Sequence, residues 1–236
     1  MADFVSKVVR KSTRIIWKFE RRAVKKGGMD YSLFDNLGRR KYLLPIERRR
    51  FLSAALETDG KTASFCAVLA ITGARISEVL ALTPNRIDDR SNSISFETLK
   101  QRRRGVFRSA PVPRELILFL EYVHELGAAQ CDSQRADAPI WTWSRTTAWR
   151  RVKTVMRKAA VPVHASQPKA LRHAFGVAAA MEGVIITMVQ KWLGHSDIRT
   201  TAIYTTVTGK EERILAGKTW RELSRELARN ENVELR

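Results

Sequence analysis

Negative charge is scarce in this sequence of 236 residues: 24 Asp+Glu stand against 43 Lys+Arg, for a formal charge of +19. A field of that size favours a polyanionic partner and fast, salt-sensitive association, with nucleic acid ahead of an anionic membrane surface or a merely solubilising basic coat. Cysteine is nearly absent. Cys66 and Cys131 cannot build a zinc site by themselves, and Cys66 sits in the apolar run FCAVLAI, where a small buried hydrophobe is expected. No stretch approaches the ~18 to 20 uninterrupted apolar residues of a membrane span. The N-terminal MADFVSKVVRKSTRIIWKFERR is too frequently charged to hold a signal-peptide core, so a cytoplasmic protein with no membrane partner is expected. A G-x-x-x-x-G-K-[ST] loop and a carboxylate cluster with metal-site spacing are also missing, so neither ATP nor a metal or other cofactor is expected.

What is present is enough apolar content, 44%, to bury a full core. Residues 1–50 carry 15 Lys+Arg and 5 Asp+Glu, so just over half of the net charge lies in front. Residues 1–43 read as a basic arm, helical over 3–26 and stopped by Gly27-Gly28. Helical periodicity then runs over 46–57 and 62–72, breaks at Gly73, and resumes over 74–82. The pattern switches at SNSISFETL, which alternates polar and apolar residues; KQRRRG reads as a charged turn and VFRSAPVP as a second strand, giving a hairpin or small sheet over 93–112. Helices are expected again from RELILFLEYVHEL, near 145–160, 169–182 and 184–193. The last of them is followed by a short helix that begins after His195 and ends near Tyr204. Residues 211–236 form an amphipathic tail with Ile214, Leu215, Trp220 and Leu223 as anchors. The expected fold class is mostly α with a small antiparallel β-sheet.

A phenol, with an ordinary pKa of about 10, is a poor nucleophile at neutral pH unless cations and hydrogen-bond donors surround its electrophile. Such groups lie in four places. Arg75 follows the Gly73 break, with Glu78 three positions on and able to hold its guanidinium. Lys100 stands at the hairpin tip, Arg172 in PKALRHAFG, and His195 directly after Gly194.

Taken in order, TGARISEVLAL, a hairpin lysine followed by R-x-x-P-V-P, LRHAFG and LGHSDIRTTAIY resemble the tyrosine recombinase, or phage integrase, family over residues 44 to about 220. The resemblance is to compact, single-domain members such as Fim-type DNA invertases and small plasmid or transposon recombinases. It implies a catalytic domain over 44–210 and a tail exchanged between protomers over 211–236. Tyr204 would be the nucleophile, Arg75 and Arg172 the arginines on the scissile phosphate, and His195 the histidine near the tyrosine. Attack on a phosphodiester builds negative charge that two guanidiniums can stabilise without a metal, and Lys100 is the donor to the departing 5′ oxygen. The 3′-phosphotyrosyl product conserves the energy of the broken linkage, in keeping with the missing ATP loop. The implied partner is double-stranded DNA, bound by a homotetramer on paired sites, with accessory DNA-bending or directionality proteins compatible with that reading. Arg48, Arg49, Arg50, Arg102, Arg103 and Arg104 are expected on DNA phosphates.

Two departures from the family pattern stand out. The histidine usually found three residues before the second arginine is Lys169 here, which suits a cationic phosphate contact better than a general base and is also compatible with a structural role. His164 and His173 are the other conceivable bases, although His173 follows Arg172 on its helix and should point roughly 100° away from it. The residues ahead of the match are too few for the separate helical DNA-clamping domain that many members carry. The other readings of the sequence are a type IB-like topoisomerase using the same chemistry, and a DNA-binding accessory protein or repressor that keeps the fold without the reaction.

Overall fold

A computed structural model of the protein describes residues 32–98, 105–206 and 210–231. The arm up to residue 31 and the hairpin tip with Lys100, Arg102, Arg103 and Arg104 therefore lie outside the described residues. The compact unit begins at Leu33. Residues 33–43, read from sequence as the end of the arm, supply buried Leu33, Tyr42 and Leu43 to the core.

Helix α1 (Pro45–Leu56) opens with a proline and with Glu47, whose carboxylate accepts the Leu44 N–H at 2.8 Å and an ion pair from Arg40. Helix α2 (Gly60–Thr72) is capped by Asp59, which accepts from the Thr62 N–H at 3.0 Å. It is apolar on nearly every side because it runs through the centre of the molecule, packed by α1, by α4 (Arg114–His124) and by α7 (Pro168–Met181). Cys66 lies on it, fully buried, its thiol pushed up to about 12 by burial, as befits a core residue. Trp141 closes the same region, donating its indole N–H to the Lys61 carbonyl at 3.0 Å and meeting Phe65 edge-on.

After α2 the chain turns at Gly73 (φ +63) into α3 (Ile76–Leu80), then into a three-stranded antiparallel sheet, order β1 (Ile87–Asp88), β2 (Ser93–Glu97), β3 (Phe107–Pro111). Ser95 pairs with Ser109 and Phe96 with Arg108. The sheet adds β1 to the expected hairpin; two residues are too few to show alternation. Helix α5 (Leu126–Cys131) occupies what reads as loop, since its six residues include Gly127 and too few apolar positions to display a period. Helix α6 (Arg145–Lys158) packs on α1. Helices α7, α8 (Ile186–Leu193) and α9 (Arg199–Ala202) follow; a 3-10 turn, Ile203–Thr206, carries Tyr204, so the tyrosine lies just beyond the helix expected to bear it. Helix α10 (Lys210–Glu231) leaves the core, touching the end of α7 where Lys218 Nζ reaches the Met181 carbonyl at 3.4 Å. Trp220 and Leu223 on it are 56% and 66% exposed. Among the described residues no helix is long and apolar enough to cross a membrane.

Candidate active site

The site is built where two helices end. Helix α2 stops at Gly73 and α8 stops at Gly194, and both glycines are left-handed, with φ of +63 and +65. A Cβ at Gly73 would come within 2.9 Å of the Phe175 Cβ; one at Gly194 would come within 2.8 Å of the Arg108 Cδ. Each helix end leaves carbonyls without helical partners. Arg172, on α7 and 7% exposed, satisfies one at each end, donating from Nη1 to Gly73 O at 2.9 Å and from Nη2 to Leu193 O at 2.6 Å. Burial, and next the Arg75 charge, lower its pKa to about 9, which leaves it cationic at neutral pH.

Arg75 sits between Gly73 and α3 in extended conformation, its side chain 31% exposed. Glu78 accepts its Nη1 at 2.6 Å and its backbone N–H at 2.8 Å, so the pair read from the sequence as neighbours on one face also caps the helix. Burial pushes the Glu78 carboxyl up, but Arg108, Arg75 and Arg172 together hold it below the usual range and ionised.

His195 follows Gly194. Its Nδ1 lies 2.8 Å from the Thr201 hydroxyl, and its backbone is pinned to Gln190 by bonds of 3.1 and 3.0 Å. Burial, then the charges of Arg172 and Arg75, push its imidazole down to about 3. Its ring stacks near Tyr204 with planes 14° apart and centroids at 6.5 Å.

Tyr204 is 1% exposed. Its ring lies against the α7 backbone at Gly176, where a Cβ would overlap it, and its Oη is 3.3 Å from His173 Nδ1. Burial pushes the phenol up to about 12 against the pull of Arg172 and Arg75. His173 is itself buried, its imidazole pushed down to about 3 by burial and then by the Lys169 and Arg172 charges. Neighbouring positions on α7 thus serve two neighbours: Arg172 reaches the helix ends, while His173, some 100° around, meets the tyrosine.

The structure brings Arg75, Arg172, His195 and Tyr204 together from four segments. Lys169 is exposed on α7, one turn before His173 and close enough for its charge to be felt there. Arg49 and Arg50 are exposed on α1, but Arg48 turns inward and donates to Ala70 O at 3.1 Å. Sequence reasoning gave no role to Arg108, which is buried beside Glu78. Its signal is a charged residue at the inward position of an alternating strand, since Arg108, Ala110 and Val112 share one face of VFRSAPVP. Among the described residues no cluster of His, Cys, Asp or Glu could hold a metal ion.

Comparison with known proteins shows the family and the fold. The model of the phage integrase family matches residues 41–211, and the chain belongs to that family. Tyrosine recombinase XerA of Pyrococcus furiosus is 32% identical over 144 residues, 59% of this chain and 48% of that protein. Tyrosine recombinase XerD of Pseudomonas putida is 31% identical over 146 residues, 59% of this chain and 47% of that one. The chain thus spans about half the length of these curated relatives. A crystal structure of XerA recombinase superposes with a TM-score of 0.62 at 23% identity, covering 77% of this chain and 64% of the other. The catalytic domain of bacteriophage HP1 integrase gives 0.53 at 21%, covering 74% and 93%. The fold is that of tyrosine recombinase catalytic domains.

Two outcomes follow from the buried aromatic groups. Gly176→Ala should expel the Tyr204 ring from its slot, so that tetranitromethane, which spares Tyr204 in the parent, nitrates it in the variant; equal protection of Tyr204 in both, read by mass spectrometry, would count against the slot. The second concerns pH. His173, His195 and His124 are all held below the ordinary histidine range, chiefly by burial. Between about pH 4 and 6.5 the unfolded chain therefore binds protons that the fold refuses, and each such proton costs up to about 1.4 kcal/mol of stability per pH unit. Stability should be full above pH 7 and fall as pH drops through 6.5. The melting midpoint measured from pH 8 to 5 should show that fall, with a shallower slope in His173→Gln.

Proposed function

We propose that the protein is a site-specific DNA recombinase that cuts and rejoins DNA by transesterification through Tyr204. The observation that carries this reading is the gathering of Arg75, Arg172 and His195 around one buried tyrosine, with an excess of positive charge and Glu78 as the carboxylate between the arginines. Tyr204 Oη attacks the phosphorus, the bond to the 5′ oxygen breaks, and the phenolic proton passes to solvent as the phosphotyrosyl ester forms. Arg75, the more exposed arginine, presents its fork to the nonbridging oxygens. Arg172 has spent two of its five N–H donors on helix carbonyls and is held rigid by them, so the rest act in a fixed direction. Neutral His195 serves as a hydrogen-bonding group there, and Lys169 adds a cation at the edge of the site. Lys100 supplies the proton that the 5′ oxygen takes. Tyr204 leaves its slot before it reacts, because at 1% exposure no phosphate reaches Oη.

The DNA surface in this reading includes Arg49 and Arg50 of α1. It extends to the exposed Arg145, Arg150, Arg157 and Lys158 of α6, the helix packed beside it. A solved relative, XerH, is described as bound to its difH substrate, and a Tn1549 integrase as in complex with transposon right end DNA, which supports a DNA substrate for this chain too. Four protomers on two sites complete the assembly, with α10 docking on a neighbour. Trp220 and Leu223, three residues apart and 56% and 66% exposed, put two large apolar groups on one face of α10.

Nicked, end-labelled duplexes from the DNA around its own gene test the chemistry. The parent should give an SDS-resistant adduct, and Tyr204→Phe should abolish it while keeping duplex affinity within a few-fold. Binding without any adduct would instead mark a DNA-binding accessory protein, and relaxation of plasmids carrying a single site would mark a topoisomerase. With two sites present, Trp220→Glu/Leu223→Glu should keep the single-site adduct and lose the paired-site complex on native gels. Undiminished pairing would remove α10 from the assembly.

A further inference from the structure

We propose that Arg108 is a positioning residue for this reaction: it neutralises Glu78 from behind, so that the charge of Arg75 stays available to the phosphate. The inference rests on the recombinase reading above. Arg108 lies on β3, 7% exposed, and is held on two sides. Its Nη2 donates to Glu78 Oε2 at 2.7 Å, and its Nε donates to Trp192 O, in the last turn of α8, at 2.8 Å. The guanidinium also lies over the Phe96 ring, 5.1 Å from its centroid. Nη1 is buried with no hydrogen-bond partner among the described residues, next to the bare Cα of Gly194.

Such a residue is an expensive way to fill a strand interior. A buried guanidinium with an unsatisfied nitrogen is costly, and a well-packed hydrophobe of similar volume often replaces a buried ion pair without loss. The charge arrangement gives it a use. Glu78 Oε1 takes Arg75 Nη1, while Oε2 takes both the Arg75 N–H and Arg108 Nη2. With one carboxylate shared by two guanidiniums, the triad keeps one net positive charge, facing outward on Arg75, whose side chain is 31% exposed against 5% for Arg108. Without Arg108, Glu78 cancels Arg75 alone and draws it inward, and the phosphate meets a neutral pair. The same side chain also ties β3 to the segment leading into His195. Its close fit to Gly194 explains why a glycine suits that corner beyond its φ.

The test measures the rate of adduct formation at saturating protein on the nicked duplexes, for the parent, Arg108→Met, Arg108→Lys, and Arg108→Met/Glu78→Gln. Arg108→Met should slow cleavage roughly 10- to 100-fold, less than the 10² to 10³ typical of removing a donor that touches the reacting oxygen, with DNA affinity within about threefold. Arg108→Lys should recover part of the rate, since the charge returns without the fork. The double variant decides the mechanism. Removing the carboxylate together with its rear partner restores the net charge of +1, so it should cleave faster than Arg108→Met alone, and it remains informative if Arg108→Met fails to fold. On a duplex with an uncharged methylphosphonate at the scissile position, parent and Arg108→Met should differ by only a few-fold. The proposal is overturned by parental rates in Arg108→Met. It is equally overturned if the double variant is no faster than the single one and the methylphosphonate leaves the gap unchanged, which would mark packing alone. If the parent itself forms no adduct, the recombinase reading fails and the positioning role falls with it.

Discussion

Everything at the centre of this protein depends on keeping three guanidiniums, those of Arg75, Arg108 and Arg172, around one buried carboxylate. An imbalance of that kind would cost too much in a dry interior if Glu78 were the sole counterweight. The balance is made up by backbone. Helices α2 and α8 both point their C-terminal ends, the negative poles of their dipoles, at the same spot, and Arg172 and Arg108 take carbonyls that no helical N–H can reach. Partial charges held by rigid helices neutralise the arginines enough to let them be buried, yet cannot move in to cancel them. What remains is a fixed, partly exposed positive site whose natural complement is an anionic group.

The same constraint governs the tyrosine. A phenol in this field is pulled toward ionisation by Arg172 and Arg75, but burial pushes harder, and the ring is held neutral against α7. Its partner there, His173, is kept neutral by burial and by the neighbouring cations, so the slot holds two uncharged groups in contact and needs no counter-ion. Glycine at 176 is a poor choice for a helix interior, by about 1 kcal/mol relative to alanine, and the ring occupying the space of its missing side chain is the compensation. The tyrosine and the arginines are thus assembled in one place, but the ring is neutral and buried beside a charged, partly exposed cluster.

Much of this was legible in the sequence, for reasons that can be traced to residues. The breaks at Gly73 and Gly194 are visible because left-handed caps need glycine, and they flag the two helix ends that build the site. Arg75, Arg172, His195 and Tyr204 were readable only as a set, because the short motifs that hold them, taken in order, resemble the tyrosine recombinase family. The alternation of SNSISFETL gave the central strand. What could not be read depends on contacts between distant segments. His173 and Tyr204 are 31 residues apart, and nothing local says that the imbalance of one helix face is settled by the other residue's ring. Arg108 was hidden differently: its strand was recognised, but which face of a strand turns inward is decided by packing against α3 and α8. Strand β1 and helix α5 are too short to carry a period at all, and the 3-10 turn at Tyr204 is a tightening of the helix end that apolar spacing does not distinguish.

Lys169 takes on a different meaning once these charges are placed. A lysine stands at that position, on the exposed edge of α7. It lies one turn before His173, where its charge is among the causes that keep that imidazole from taking a proton. A protonated His173 would put a further positive charge directly against the Tyr204 hydroxyl. The charge at this position therefore helps to keep the slot in which Tyr204 rests uncharged. The departure from the family pattern is then consistent with the rest of the site, whose positive charge is concentrated on the arginines around Glu78 while the slot that holds Tyr204 stays uncharged.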